Sequence, residues 1–290
     1  MIPILEVGGT HVTAAWVDPT YWQVSDVHRT DLDARASAAD LVAAFLAPAA
    51  ALDVPAGAHW GIAMPGPFDY ERGVARFTGV AKFDSLNGID LGIALTEAMP
   101  KRPGSISFIN DASAYLVGEW LAGAAQGADS CAILTLGTGV GSAFLRHGNV
   151  VDRGRDVPRD GEVHLLKHAG RPLEDWVSRR AIRRDFATAA GRADEPDVRE
   201  IAELARAGSA IAAQVIGDAF VVLGQVVGPW LHRFGAELLV VGGSISRSWD
   251  LIEAPLTVGL AGSVPQIRAA QDTEYAPLIG AAYPAFTRVG

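Results

Sequence analysis

One pattern occurs twice in this chain: ILEVGGTHVTAAWV (4–17) aligns without gaps to ILTLGTGVGSAFLR (133–146). Each copy reads as an apolar strand, a turn of glycine and threonine, and a second apolar strand. Repetition of a whole strand–turn–strand unit points to a structural duplication. The 290 residues are enough for two lobes, each with its own core.

The elements between the copies follow α/β order. Residues 2–7, 11–18 and 22–28 form an expected antiparallel meander, divided by Gly-Gly and Pro-Thr. A helix is expected at 37–51, a strand at 59–64 ended by Pro-Gly-Pro, a helix at 90–99, a strand at 105–110 and a helix at 112–125. Strands at 130–136 and 140–146 flank Gly-Thr-Gly. Helices follow at 172–190, 197–207 and 209–234, then a strand at 237–241, a helix at 248–260 and an apolar segment at 277–287. No stretch rich in Pro, Gly or Ser separates the lobes.

Composition narrows the partners. A formal charge of −9 offers no basic surface for DNA or RNA, so nucleic acid is not expected. The start, MIPILEVGGT, lacks the cationic and apolar regions of a signal peptide, which predicts a cytoplasmic protein. Residues 210–231 are long enough to cross a bilayer, but Gln214, Asp218, Gln225 and Pro229 interrupt them. They read as a buried helix, with no membrane partner. The single cysteine, Cys131, excludes an intrachain disulfide and a multi-cysteine zinc site; within CAILTL it reads as inert core.

The repeated turns carry the first chemistry. Gly8-Gly9-Thr10 and Gly137-Thr138-Gly139, the latter with Thr135 just ahead, let backbone amides converge without side chains in the way, and the threonines add hydroxyl donors. Each alone is equally an ordinary hairpin turn. Neither fits a P-loop, which needs a lysine and a following helix, nor the dinucleotide fingerprint. A third turn, Gly242-Gly243-Ser244, lies between a buried strand and a helix.

These turns resemble the phosphate hairpins of the actin-like ATPase and sugar-kinase superfamily, in which the third turn contacts the adenosine of ATP. More closely, residues 4–280 resemble the ROK family of repressors, open reading frames and sugar kinases, which includes bacterial glucokinases. The resemblance implies an α/β fold of two actin-like (ribonuclease H-like) lobes with an ATP and sugar cleft between them. Residues 1–111, completed by 277–290, would form the small lobe and 112–276 the larger. ROK repressors carry a helix-turn-helix before the first hairpin, whereas this sequence reaches its first strand at once, which favours the kinase branch.

Asn110-Asp111 stands where a buried strand meets a helix, facing the ends of the strands; the plain alternative is helix capping by Asp111. The resemblance implies that Asn110 holds sugar hydroxyls and Asp111 is the general base. A carboxylate at a helix start is expected to stay ionised at neutral pH.

The stretch DGEVHLLKHAGRPLEDW (160–176) gathers Glu162, His164, His168 and Glu174, a set open to readings as metal ligands, sugar ligands or a charged loop. ROK sugar kinases carry Gly-Glu-x-Gly-His, zinc-binding cysteines and then Leu-Glu. Gly161-Glu162-Val163-His164 and Leu173-Glu174 remain here without the cysteines, so no structural zinc is expected. The resemblance implies that Glu162, His164 and Glu174 are sugar ligands, with His164 one residue closer to Glu162 than in the family pattern. Pro65-Gly66 matches the family's Pro-Gly-Pro loop. Lys82-Phe83 and Leu86 stand where the family has its Asn-Leu-x-x-Trp sugar segment, and Glu6 replaces the aspartate that organises Mg²⁺ and phosphate.

The implied activity is ATP-dependent phosphorylation of a hexose or hexose derivative, with Mg²⁺ carried by ATP near Glu6. The alternatives are polyphosphate as donor, a non-catalytic or weakly catalytic sugar- or nucleotide-binding protein, and an actin-like filament or chaperone ATPase. A homodimer is implied by the resemblance alone.

Overall fold

The computed structural model describes residues 1–79, 82–263 and 266–289; Val80 and Ala81 of the sugar-segment comparison and the terminal Gly290 lie outside them. The chain divides into two compact units, Met1–Gly123 with Glu274–Gly290, and Ala124–Thr273.

The first unit is built on β1 (Ile2–Val7), β2 (His11–Asp18), β3 (Gln23–Asp31), β4 (His59–Met64) and β7 (Ser105–Asn110), in the order β3-β2-β1-β4-β7. β1 and β2 pair antiparallel, while β1, β4 and β7 run parallel. A small hairpin, β5 (Phe68–Asp69) with β6 (Val74–Ala75), follows β4. The helices are α1 (Ala38–Leu46), α2 (Leu91–Ala98) and α3 (Asp111–Ala122), joined by the C-terminal helix Ala276–Val289. Ser37 starts α1 by accepting the Asp40 amide at 3.2 Å and donating to its carboxylate at 2.7 Å. Leu5, Val12, Phe45, Ile62 and Met64 form the core between the sheet and α1 and α2.

The second unit repeats the plan with β8 (Ser130–Leu136), β9 (Val140–Arg146), β10 (Asn149–Val150), β13 (Leu238–Gly242) and β14 (Gln266–Ala269), in the order β10-β9-β8-β13-β14. β8, β13 and β14 are parallel. The hairpin β11 (Lys167–His168) with β12 (Arg171–Pro172) leads into α4 (Glu174–Val177), α5 (Arg179–Ala189), α6 (Val198–Arg206), α7 (Ala210–Phe234) and α8 (Trp249–Leu260). Strand for strand, each sheet has an antiparallel hairpin and a third strand on one side, and two parallel strands on the other.

The gapless alignment misses one detail. Val7 pairs with Val12 in the first hairpin, whereas Leu136 pairs with Val140 in the second, so the second turn is one residue shorter. The expected boundary before residue 112 is also corrected: it falls after α3. That helix packs on the C-terminal helix, where Gly118 meets the carbonyl of Ala276 and Gly280 meets the carbonyl of Ala114 with no room for a β-carbon. The helix expected at 172–190 is two helices. Ser178 turns extended between them and caps α5 by accepting the Ala181 amide at 3.3 Å.

α7 is long and apolar enough to cross a membrane by length and composition. Here one face, including Phe220, Leu223, Val227 and Leu231, enters the core of the second unit. Gly224 lets it approach the backbone of α8 at Leu260. Cys131 is fully buried in β8, and burial pushes its thiol up to about 12.

Candidate active site

Parallel pairing fixes the site in the first unit. Glu6 of β1 is level with Ala63 of β4, and Ala63 with Ile109 of β7, so Glu6 and the Asn110-Asp111 step lie at the same carboxyl ends of the strands. Open α/β sheets bind ligands at these ends because the following turns leave backbone groups and helix starts facing solvent.

The cap of α3 is Asn110, not Asp111. Its side-chain oxygen accepts the Ser113 amide at 3.1 Å, and its amide donates to the Tyr70 hydroxyl at 3.0 Å; that hydroxyl donates to the Met64 carbonyl at 3.1 Å. These bonds hold the Asn110 side chain in place, and its amide also hydrogen-bonds the Asp111 carboxylate, leaving one acceptor position of the side-chain oxygen for a ligand. Tyr70 had no assigned role in the sequence, and only its place five residues after Pro65 hinted at one. Pro65 is half-buried and Gly66 exposed, and the Gly66–Pro67 peptide is cis.

Asp111 is the first residue of α3, and the Ala112 amide donates to its carboxylate at 2.8 Å. The helix start favours the ionised form, as expected, yet desolvation is the larger effect and raises the carboxyl above its usual range. The residue nevertheless keeps an exposed face, through which a proton can be received from solvent or ligand.

Glu6 is pushed up to about 7, first by burial and next by the charge of Asp111; Arg29 and a hydrogen bond from Thr13 act against this. Arg29 Nε donates to the buried Thr13 hydroxyl at 3.2 Å, which orders it where its charge acts on Glu6. Neither residue was singled out by the sequence, because an arginine in an edge strand and a threonine in β2 look like surface and core. His11 Nε2 stands 3.9 Å from Glu6, and desolvation, followed by Arg29, lowers its pKa, so it is held neutral. Gly8 closes the first turn through its amide to His11 O at 2.9 Å, and the exposed Thr10 hydroxyl is 3.3 Å from His11 Nδ1.

In the second unit the other two turns come together. Gly242 of β13 pairs with Thr135 of β8, and Gly243, at φ +87°, packs its backbone on that of Leu136. The Ser244 hydroxyl stands 3.4 Å from where a Gly137 β-carbon would be. Gly137 closes its turn on Gly139 O at 3.0 Å and its carbonyl accepts the Arg179 amide at 2.9 Å, leaving Thr138 exposed at the tip.

Glu174 opens α4 with its carboxylate against Gly139, where a β-carbon would collide with it. This residue, expected at the sugar, therefore borders the second glycine turn. Glu162 and His164 form a half-exposed pair at 3.8 Å. They are carried on a segment clamped to β9 by Ser142, whose hydroxyl donates to Gly161 O at 2.6 Å and accepts the Val163 amide at 3.0 Å. Ser142 was invisible in the sequence because it sits within an apolar strand. His168 joins none of these: its carbonyl accepts from Trp176 Nε1 at 3.2 Å and its ring stacks edge-on against that indole.

Three glycine turns, a carboxylate pair at strand ends and a capped Asn-Asp step are thus distributed over a duplicated sheet. Residues 4–287 match the ROK family.

The chain belongs to the ROK family.

Among ROK relatives, a glucokinase of Thermotoga maritima is 30% identical over 218 residues, covering 68% of this chain and 67% of that enzyme. A ROK hexokinase from Thermus thermophilus superposes with a TM-score of 0.77 at 27% identity, covering 99% of this chain and 98% of the other. A ROK family transcriptional regulator, a homologue of the E. coli MLC protein, superposes with a TM-score of 0.79 at 19% identity, covering 98% of this chain and 77% of its own. The actin-like fold is common to the kinase and regulator branches of the ROK family, so the function has to be argued from the side chains.

Proposed function

We propose that this ROK protein is a sugar kinase that transfers the terminal phosphoryl group of ATP to a hydroxyl of a hexose or hexose derivative, with Asp111 as general base. The observation that carries this reading is the Asn110-Asp111 step. Asn110 is fixed by Tyr70 and Ser113 and hydrogen-bonds Asp111, which has a raised pKa and an exposed face. A repressor or filament protein has no need of a raised carboxylate next to a pre-oriented amide. A kinase does, because the attacking hydroxyl must give up its proton as it bonds to phosphorus, and a base of raised pKa takes that proton more readily.

In this reading Asn110 in the first unit, and Glu162 and His164 in the second, are each assigned to the acceptor, and Glu174, against Gly139, to the second glycine turn. The turns Gly8–Thr10 and Gly137–Gly139 present amides to the phosphates. The neighbouring turn Gly242–Ser244 favours a nucleotide over polyphosphate, since a bare phosphate chain has no use for a third turn beside the second. Two carboxylates, with phosphate oxygens and water, suit Mg²⁺; Glu6 would hold it, and the ion would supply neutralisation of the phosphate charge. Arg29 acts against the raised pKa of Glu6 without bringing it back to its ordinary value, which is consistent with a cation arriving with the donor.

ADP release from Mg-ATP, measured with wild type and Asp111→Asn over glucose, mannose, fructose, allose, N-acetylglucosamine and N-acetylmannosamine, tests the reading. Sugar-dependent release that is lost in the variant is expected. Equal release in both proteins would remove Asp111 from the mechanism, and no release with either ATP or polyphosphate would overturn the kinase reading.

A further inference from the structure

The segment 82–86 is fastened to the first unit from beneath. Phe83 is 1% exposed and packs against Phe45 and Phe77 at ring-centroid distances of 6.0 and 5.3 Å. Its amide donates to Ala34 O at 2.7 Å, the Ser85 hydroxyl donates to Ala36 O at 2.8 Å, and Leu86 is fully buried. Phe83 also holds φ +59°, in the left-handed region that a bulky residue adopts only where its surroundings impose it.

The effect of these anchors is to aim the preceding residue. Lys82 is exposed, and its Nζ stands 2.8 Å from the point a β-carbon on Gly9 would occupy. Its ammonium therefore rests on the first glycine turn, in space that any other residue at position 9 would fill. Among the described residues Lys82 has neither an ion pair nor a hydrogen bond, whereas the unit's other lysine, Lys101, pairs with Asp53 at 2.8 Å. A cation held over a glycine turn by strained, buried backbone and left without a protein partner is arranged for an anion from outside.

We propose that Lys82 is a phosphate-binding residue whose ammonium closes on the terminal phosphate of the donor seated on the Gly8–Gly9 turn. This rests on the reading of that turn as a phosphate site. The electrostatics call for such a group: Glu6 and Asp111 place carboxylates at the same strand ends, and each repels a triphosphate. A lysine ammonium is a compact point charge with three donors, suited to phosphate oxygens whose arrangement changes during transfer.

The test is equilibrium binding of ATP, ADP and the hexose substrate to wild type, Lys82→Ala and Lys82→Arg, together with turnover. In Lys82→Ala the Kd for ATP should rise about 10- to 100-fold, the loss of one charge-assisted hydrogen bond to phosphate. The Kd values for ADP and hexose should stay within about twofold, and Lys82→Arg should recover most of the ATP affinity. Unchanged thermal melting is expected of an exposed side chain and shows that the variant is folded. Wild-type ATP binding that Lys82→Ala leaves intact would overturn the proposal alone, as would equal weakening of ATP and ADP. A raised hexose Kd with unchanged ATP binding would return Lys82 to the acceptor. A wild type that binds neither ATP nor polyphosphate would overturn the phosphate-site reading and the proposal with it.

Discussion

Glu6 and Asp111, at the ends of β1 and at the start of α3, form a carboxylate pair in which the charge of Asp111 helps hold Glu6 up to about 7. Burial contributes more, and Arg29 only partly offsets the two. The pair ties the first strand of the chain to the proposed base across the whole parallel part of the sheet.

The pair predicts a pH-dependent stability in the ligand-free protein. The folded-state pKa of Glu6, about 7, lies above its ordinary value of 4.5, so its stabilising contribution is fully present below 4.5 and is lost as pH rises through 7. The ceiling of this loss is about 3 kcal/mol. Glu6→Gln should flatten the pH 4.5–7 slope and leave the protein more stable than wild type at pH 8, measured by urea unfolding. A slope unchanged in the variant would mean that Glu6 ionises normally.

Asp111→Asn should lower kcat by about 10²- to 10⁴-fold, the usual contribution of a positioned base. The hexose Kd should change little, because Asn110 keeps its cap and its bond to Tyr70. A parallel loss of hexose binding would recast Asp111 as a sugar ligand.

Tyr70→Phe removes the hydroxyl that joins Asn110 to the Met64 carbonyl. About 1 kcal/mol of orientation is lost with it, so the hexose KM should rise about fivefold, with kcat falling less. Steady-state kinetics decide this, and an unchanged KM would free Asn110 from the acceptor site.

Ser142→Ala breaks both bonds that hold the Glu162–His164 segment on β9. The expected result is a loss of about 1–2 kcal/mol in stability, read by urea unfolding, and a raised hexose KM at nearly constant ATP KM. An unaffected hexose KM would place the acceptor away from this pair.

Gly139→Ala drives a β-carbon into the carboxylate of Glu174. The flexible side chain can swing away, so melting should shift little while turnover falls, and Glu174→Ala should leave Gly139→Ala with little further effect. Additive losses would mean that the contact does no work in the site.

Much of this was legible because the decisive signals are periodic. β4, β7 and β8 fall where alternating or continuous apolar runs end at proline, asparagine or glycine, and β9 follows the glycine turn after β8. β14 escaped because QIRA is a half-polar edge strand. The break at Ser178 escaped because an N-cap serine inside a helical run resembles an ordinary exposed helix residue. In the site, the glycine turns and Asn110-Asp111 stood out by residue type. Tyr70, Ser142 and Arg29 act by reaching residues distant in sequence, which no local pattern encodes. The one-residue difference between the hairpins shows the limit of the self-comparison: side-chain alternation survives a shortened turn, so the alignment did not register it.

The packing of the C-terminal helix on Gly61 of β4 and Gly118 of α3, and of its own Gly280 on Ala114, has a consequence for how the protein is made. The whole second unit is synthesised between α3 and the helix that completes the first. On the ribosome, then, the later-encoded unit is contiguous and able to fold as a block, while the earlier one waits with an apolar flank uncovered. The unit that carries the proposed base is thus closed after the second unit has been made, when the helix Ala276–Val289 has emerged.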